Sequence, residues 1–425
     1  MSYVIVGNGV ASVGAIEGIR KVDTTTPILV VSEEDTPTYG RPLISYFLAG
    51  KIGLERVRLR PDEFYEKNNV EVKLNTRVAA IDNEAKIITT EAGEQIEYTQ
   101  LLLATGGVPF MPPLKGIEGS GVYNFTTLNH AHMLLDLSKK IHRVVVIGGG
   151  LIGLKAAEAL RYNGLSTAIV ELGSRVLSAA FDDVAGNLVA KRLEEKGIAI
   201  RCGTTVEEIL RTEQGDVIGV RLANGQKLAC EAVVVAIGVV PSLALAKEAG
   251  IAVNRGIKVD DNMCSSADGV YAAGDVAEAP DMIAQEARVT PIWPNAFSQG
   301  YHAGLNMASE NASPHPGGLP MNAISFYGLP TASLGHVNPA EDEPCEVFAE
   351  LDEENGTYRK LIFRDEKLIG YVLVGEVDFA GLYTGFVRFG LDITPDVKEE
   401  LIAGQPSALL WPEEEFDTKW TPAAE

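Results

Sequence analysis

Cysteine is scarce in this chain. Four thiols, Cys202, Cys230, Cys264 and Cys345, lie far apart in a chain of 425 residues, and no two form a C-x-x-C pair. That spacing excludes a local disulfide framework and a sequence-local metal cluster, so no metal site is expected, and the thiols read as reduced groups in a cytoplasmic protein. Basic residues are also in short supply. Thirty-six Lys and Arg face 58 Asp and Glu, a formal net charge of −22. A surface of that sign repels nucleic acid and anionic lipid, and neither is expected as a partner. Long hydrophobic runs are missing too. The most apolar stretch, 232–246, is too short to span a bilayer and is interrupted by Gly238 and Pro241. An apolar strand already begins at Tyr3, so no signal peptide is expected.

What the chain does have is short apolar runs that end in glycine. Its composition, 46% hydrophobic and 22% charged, is that of a globular protein, and its length suits about three domains of ~150 residues. The opening stretch 3–15 reads YVIVGNGVASVGA. An apolar strand enters Gly7-Asn8-Gly9, and Val10 and Ala11 begin a helix. Such a turn lets the backbone approach a pyrophosphate, which the unpaired N–H groups and positive dipole end of the helix then hold. The third position of the G-x-G-x-x-G fingerprint is Ser12, a departure expected to loosen the helix–strand packing. The next strand, 27–31, runs into Ser32-Glu33-Glu34, where an acid is wanted for a ribose. Glu33 is preferred to Glu34, with a solvated acidic turn as the other reading. Arg41, in Tyr39-Gly40-Arg41-Pro42, can neutralise a pyrophosphate, or else belong to a plain linker.

The second half opens with a stronger copy. Strand 144–147 enters Gly148-Gly149-Gly150, followed by Leu151, Ile152 and Gly153, and strand 166–170 ends on Glu171. A carboxylate there accepts the ribose hydroxyls of NADH and repels a 2′-phosphate, so NADH is expected over NADPH, although Arg175 could offset the repulsion. Each half closes on an apolar strand and a glycine turn, Leu101 to Gly106 and Ala232 to Gly238, as a duplicated βαβ unit would. A third such strand, 269–273, ends in Gly274-Asp275. Asp275 can hydrogen-bond a polyol or cap a helix. From 319 onward, alternating segments separated by Gly, Pro and acidic turns predict an antiparallel sheet, with a helix from Phe379.

Taken together, the two fingerprints, the Ala104-Thr105-Gly106 and Ala236-Ile237-Gly238 turns and the Gly274-Asp275 strand end resemble the pyridine nucleotide-disulfide oxidoreductase superfamily. The resemblance implies an α/β fold with two Rossmann-like dinucleotide-binding domains, glutathione-reductase-like, plus a C-terminal α+β interface domain. It implies an FAD domain over 1–112 and 250–318, an NAD domain over 113–249, an interface domain over 319–404 and a tail over 405–425 that holds Trp411 and Trp420. Gly7, Gly9, Val10, Ala11, Glu33, Arg41, Pro42, Val78, Ala104, Thr105, Gly106, Asp275 and Trp293 would contact FAD. Gly148, Gly150, Leu151, Ile152, Gly153, Glu171 and Gly238 would hold NAD(H).

Relatives with a dithiol or single redox cysteine carry it just after the second strand, where this chain has Arg41-Pro42-Leu43-Ile44-Ser45. A dithiol mechanism is excluded there. The RP-x-x-S pattern and Trp293-Pro294-Asn295 resemble instead the NADH:rubredoxin and ferredoxin reductases and the flavin part of nitrite reductases. That likeness implies an NAD(P)H-dependent flavoprotein oxidoreductase moving a hydride between NAD(H) and FAD and single electrons to an iron–sulfur protein or subunit. A homo-oligomer or membership of a hetero-complex is the expected assembly. The other readings are an NADH oxidase or a non-catalytic FAD/NAD-binding signalling protein. Trp293 would flank the flavin, or be an ordinary core aromatic. The family's usual glutamate after Gly153-Leu154 is Lys155 here, with Glu158 a turn later. Lys155 and Glu158 are flavin-proximal candidates, or else a simple helix ion pair. Arg56, Arg58 and Arg60 form a possible docking patch for the acceptor.

Overall fold

A computed structural model describes residues 2–284, 286–309 and 313–404. The tail from 405, with Trp411 and Trp420, lies outside the described residues. The described residues divide into two compact units, one drawn from 2–177 and 193–320, the other from 178–192 and 321–404.

In the larger unit, strand Tyr3–Val6 (β1) leads into helix Val10–Val22 (α1), strand Ile28–Val31 (β2), the short helix Ile44–Leu48 (α2) and strands Val70–Lys73 (β3) and Gln100–Leu103 (β4). The second half repeats the order with strand Arg143–Ile147 (β5), helix Leu151–Tyr162 (α3) and strands Ser166–Val170 (β6), Ile198–Arg201 (β7) and Ala232–Val235 (β8). Strand Val270–Ala272 (β9) and helix Trp293–Ala308 (α4) follow. Two parallel sheets result. The first runs β9-β4-β1-β2-β3, and the second runs β7-β6-β5-β8 with Val122–Tyr123 at its edge. The central strands β1 and β5 are apolar almost throughout because both faces are covered, as parallel sheets require. The first sheet is completed by β9, which arrives only after the whole second sheet.

The two halves match bond for bond around their central strands. Val6 pairs with Val31 and Leu103, and Ile147 pairs with Val170 and Val235. Gly7 N donates to Val31 O and Gly148 N to Val170 O, both at 2.8 Å. Ala104 N donates to Val6 O and Ala236 N to Ile147 O, also at 2.8 Å. The repeat read from the sequence is therefore a repeat of backbone geometry.

Helix α4 is set against α1 by glycine. A Cβ on Gly14 or Gly18 of α1 would overlap backbone atoms of Phe297 or Tyr301, and one on Gly300 or Gly304 of α4 would overlap the backbone of Ala11 or Ala15. Gln299 Oε1 accepts a 2.8 Å bond from Gly274 N, tying α4 to the end of β9. Among the described residues no helix is long and apolar enough to cross a membrane.

The smaller unit is a five-stranded antiparallel sheet in the order 321–326, 329–335, 367–374, 357–364, 346–352, with helices Ala380–Phe389 and Pro395–Ala403. Segment 178–192 joins it through buried Asp182, which accepts bonds from Tyr358 Oη at 2.7 Å and pairs with Lys360 at 3.1 Å. The sequence has no signal for this, since Asp182 is 176 residues from Tyr358.

Replacing Gly300 with alanine is expected to cost at least about 2 kcal/mol, because backbone rather than a flexible side chain opposes the new methyl. Gly381→Ala, in a helix with nothing within 4 Å of the new atom, should stay within about 0.5 kcal/mol or stabilise. Thermal unfolding of both variants checks this, and equal melting would contradict the close helix contact.

Candidate active site

The glycine turns divide their labour. Gly7 and Gly148 have φ of +111° and +110°, and a Cβ on either would overlap the carbonyl of Ala104 or Ala236. Only glycine fits there. Gly9 and Gly150 have extended backbones, cap α1 and α3 without a side-chain bond, and have nothing within 4 Å of a built Cβ. The helices begin at once after them, at Val10-Ala11 and Leu151-Ile152, whose amides lack partners within the helix. At the third position a Cβ on Gly153 would overlap Gly148 O. Ser12 is fully buried and donates its Oγ to Gly7 O at 2.7 Å. The departure from glycine therefore does not loosen the turn. The hydroxyl bridges it.

The two acids after the second strands are not equivalent. Glu171 is locked to its loop, with Oε2 accepting from Gly149 N at 2.5 Å and Oε1 from Gly173 N at 2.6 Å. The register that aligns Val31 with Val170 places Ser32, not Glu33, at the corresponding position. Glu33, one residue further on, turns outward and lies 3.7 Å from Arg77 Nε. It makes no hydrogen bond to the first loop among the described residues. Glu34, passed over in the sequence, accepts from Tyr39 Oη at 2.6 Å and pairs with Arg41. Tyr39 Oη in turn accepts from Leu128 N at 3.0 Å, and Arg41 Nη1 donates to Thr126 O at 2.8 Å. These bonds join the segment around Pro42 to the second half, and nearly half of the Arg41 side chain stays exposed.

Asp275 follows Gly274 at the end of β9. Residues 277–280 are a strand, so Asp275 does not cap a helix. Burial pushes its carboxyl up, and the Arg41 guanidinium pulls it back. It makes no hydrogen bond among the described residues. The two closing turns stand together, because Gly107–Pro109 pairs antiparallel with Val239–Pro241 and Thr105 Oγ1 donates to Ser242 O at 3.3 Å. Gly106 and Gly238 have positive φ and open space where a side chain would be. Val78 is a core residue on the strand Val78–Asp82, leaving only its backbone for a ligand. Trp293, the first residue of α4, is 36% exposed, so the core-aromatic reading does not hold.

Lys155 and Glu158 form an ion pair at 2.5 Å, and both are buried. Burial pushes the Lys155 ammonium down while Glu158 pulls it back. Lys51 Nζ lies 3.5 Å from the other Glu158 oxygen, and the ammonium groups of Lys155 and Lys51 lie 4.8 and 4.0 Å from the Tyr46 and Tyr162 ring centres. Lys51, Tyr46 and Tyr162 carry no sequence signal for this. The arginine patch is weaker than the sequence suggests, because Arg58 pairs with Asp62 and Arg60 with Glu17. No group of three or more His, Cys, Asp or Glu that could hold a metal occurs among the described residues.

Two open cradles at helix N-termini and an unbonded carboxylate beside an arginine fit two dinucleotides, and the first cradle, with Asp275 and Arg41, fits FAD.

Comparison with known proteins agrees. Residues 1–300 match the pyridine nucleotide-disulphide oxidoreductase family, and 320–386 match the rubredoxin NAD+ reductase C-terminal domain. The chain is 31% identical over 401 residues to the nitrite reductase (NAD(P)H) of Bacillus subtilis (strain 168), covering 94% of the chain and 48% of that protein. It thus spans about half the length of that relative. It is 32% identical over 395 residues to the NADH-dependent phenylglyoxylate dehydrogenase subunit epsilon of Aromatoleum evansii, covering 92% of the chain and 93% of that subunit. A solved ferredoxin reductase for the CYP199A2 system of Rhodopseudomonas palustris superposes with a TM-score of 0.85 at 26% identity, over 93% of this chain and 96% of that one. With both glycine loops and both matched regions in place, the chain belongs to the pyridine nucleotide-disulphide oxidoreductase family, FAD proteins that react with NAD(P)H.

Proposed function

We propose that the chain holds FAD on its first glycine loop, binds NADH on its second, and passes electrons singly to an iron–sulfur protein or subunit. The observation that carries this reading is the duplicated loop geometry, two cradles of one design in a single unit. The bound flavin supplies the chemistry, accepting a hydride from the dihydronicotinamide and releasing electrons one at a time. The protein binds and orients. Amides at Val10-Ala11 and Leu151-Ile152, with the dipoles of α1 and α3, hold the pyrophosphates. Arg41 adds positive charge at the first, and Asp275 accepts from a polyol hydroxyl.

Each Glu171 oxygen has already taken one backbone amide and retains a second lone pair for a ribose hydroxyl. A 2′-phosphate would meet that carboxylate with like charge, which favours NADH. Where a redox thiol would stand, Ser45 is buried with Oγ donating to Pro42 O at 3.2 Å, so electrons do not leave through a disulfide at this position. The relatives support an iron–sulfur acceptor: the matched C-terminal domain is of the rubredoxin NAD+ reductase type, and a dehydrogenase subunit aligns almost end to end. The second of these favours work as one subunit of a larger NADH-linked complex.

An anaerobic titration of the purified protein tests the reading. NADH should bleach the flavin absorbance, and a rubredoxin or ferredoxin should restore it faster than air does. Fast reoxidation by air would instead make the protein an oxidase, and a reduced complex that barely turns over would make it a binding protein. Glu171→Ala should raise the KM for NADH about tenfold or more and lower the NADH-over-NADPH preference at least as much, since hydrogen bonds to charged groups contribute about 1.5–3 kcal/mol. Steady-state kinetics with both nucleotides measure this. Asp275→Asn should weaken FAD retention about tenfold by the same reasoning, read as the flavin-to-protein absorbance ratio after dialysis.

A further inference from the structure

Lys155 is the one buried lysine among the described residues, 7% exposed. An i,i+3 ion pair on a helix gains little from being buried, and an apolar side chain of similar volume would pack there at lower cost. The cation is nonetheless held from several sides. Glu158 takes its ammonium at 2.5 Å, the Tyr46 ring lies 4.8 Å away, and Lys51 shares Glu158 at 3.5 Å.

The place is specific. Lys155 stands on the second turn of α3, which starts at the Gly150 cradle of the second half. Tyr46 stands on α2, which follows Arg41 of the first half. Asn163 Nδ2 at the other end of α3 donates to Leu48 O of α2 at 2.6 Å, so the two helices are fastened along their length. The buried pair therefore sits where the helix of one cradle meets the segment that serves the other. A hydride passing between ligands of the two cradles crosses between these halves.

We propose that Lys155 is an electrostatic tuning residue for that transfer, its ammonium stabilising the negative charge that hydride uptake places on the flavin and so raising the flavin's reduction potential. This inference rests on the reading of the chain as an FAD protein reduced by NADH. The step balances within that reading. The hydride, two electrons and one proton, leaves C4 of the dihydronicotinamide, which becomes NAD+. It joins flavin N5, and the neutral ring system gains one negative charge. A fixed cation at this junction of the halves would favour that product, and low effective dielectric keeps the interaction from being screened as it would be at the surface. Tyr46 and Glu158 act on Lys155: the ring face and the carboxylate keep the ammonium charged in a buried place.

The test is the flavin midpoint potential of the holoprotein, measured by equilibration with an indicator dye, for wild type, Lys155→Met, Lys155→Gln and Lys155→Arg. Loss of the charge should tilt the equilibrium towards oxidised flavin at least tenfold, about 30 mV for a two-electron couple. Lys155→Gln keeps a hydrogen-bonding group for Glu158, so it decides the matter if Lys155→Met fails to fold or to retain flavin. Lys155→Arg should stay within threefold of wild type. A purely structural lysine would lower the melting temperature of the neutral variants and leave the potential of their bound flavin unchanged, and that result overturns the proposal. A wild-type protein that holds no flavin, or whose flavin NADH does not reduce, overturns the functional reading and this inference with it. Normal reduction by NADH together with unshifted potentials overturns the inference alone.

Discussion

The larger unit depends on one close approach, made twice. The residue that follows each central strand lies against the carbonyl of the turn that closes the neighbouring strand, Gly7 against Ala104 and Gly148 against Ala236. No side chain fits, and the positive φ adds a second reason for glycine. Because the turn is that tight, only three residues separate strand from helix, and the first amides of the helix have no partner within it. The open space beside Gly9 and Gly150 is a product of the same geometry. A steric constraint between backbones thus leaves open space beside two helix starts, the feature on which the proposed phosphate binding rests.

The same economy places α4. Small residues on α1 let α4 approach backbone to backbone, and Gln299 then fastens it to the strand end that presents Asp275. Trp293, the N-terminus of α4, Asp275 and the first cradle are set by one set of contacts rather than by independent loops. Close packing of this kind has no slack, so a displacement at Gly300 would be felt at each of them.

Charge, unlike backbone, is used differently in the two halves. In the second, Glu171 is bonded to its own loop and presents a fixed carboxylate. In the first, the corresponding place is Ser32, and the acid that does bond, Glu34, is bound up with Tyr39 and Arg41. That network reaches Thr126 and Leu128, so it also joins the halves. Lys155, Glu158 and Lys51 join them a second time, through buried charge.

Local pattern was enough for the strands, both glycine loops, the closing turns and the antiparallel character of the C-terminal unit, because each is written within a dozen residues by apolar period and glycine placement. The place of Glu171 beside its loop was legible for the same reason: it follows its strand directly. Which of Glu33 and Glu34 bonds within the first half was not legible, because strand pairing and tertiary partners, not spacing, turn Glu33 outward and give Glu34 to Tyr39 and Arg41. Ser12 looked like a weakness until its hydroxyl met Gly7 O. The arginine patch looked available until Glu17 and Asp62 came beside it. Asp182 with Tyr358, and Lys155 with Tyr46 and Lys51, are pairs whose members lie far apart in the chain. Sequence by itself determined where backbone must be tight and where helices must start, since those are short-range steric matters. Only the tertiary structure decided which charges are spent on one another and which are left for a ligand, since electrostatic partners are chosen by proximity in space.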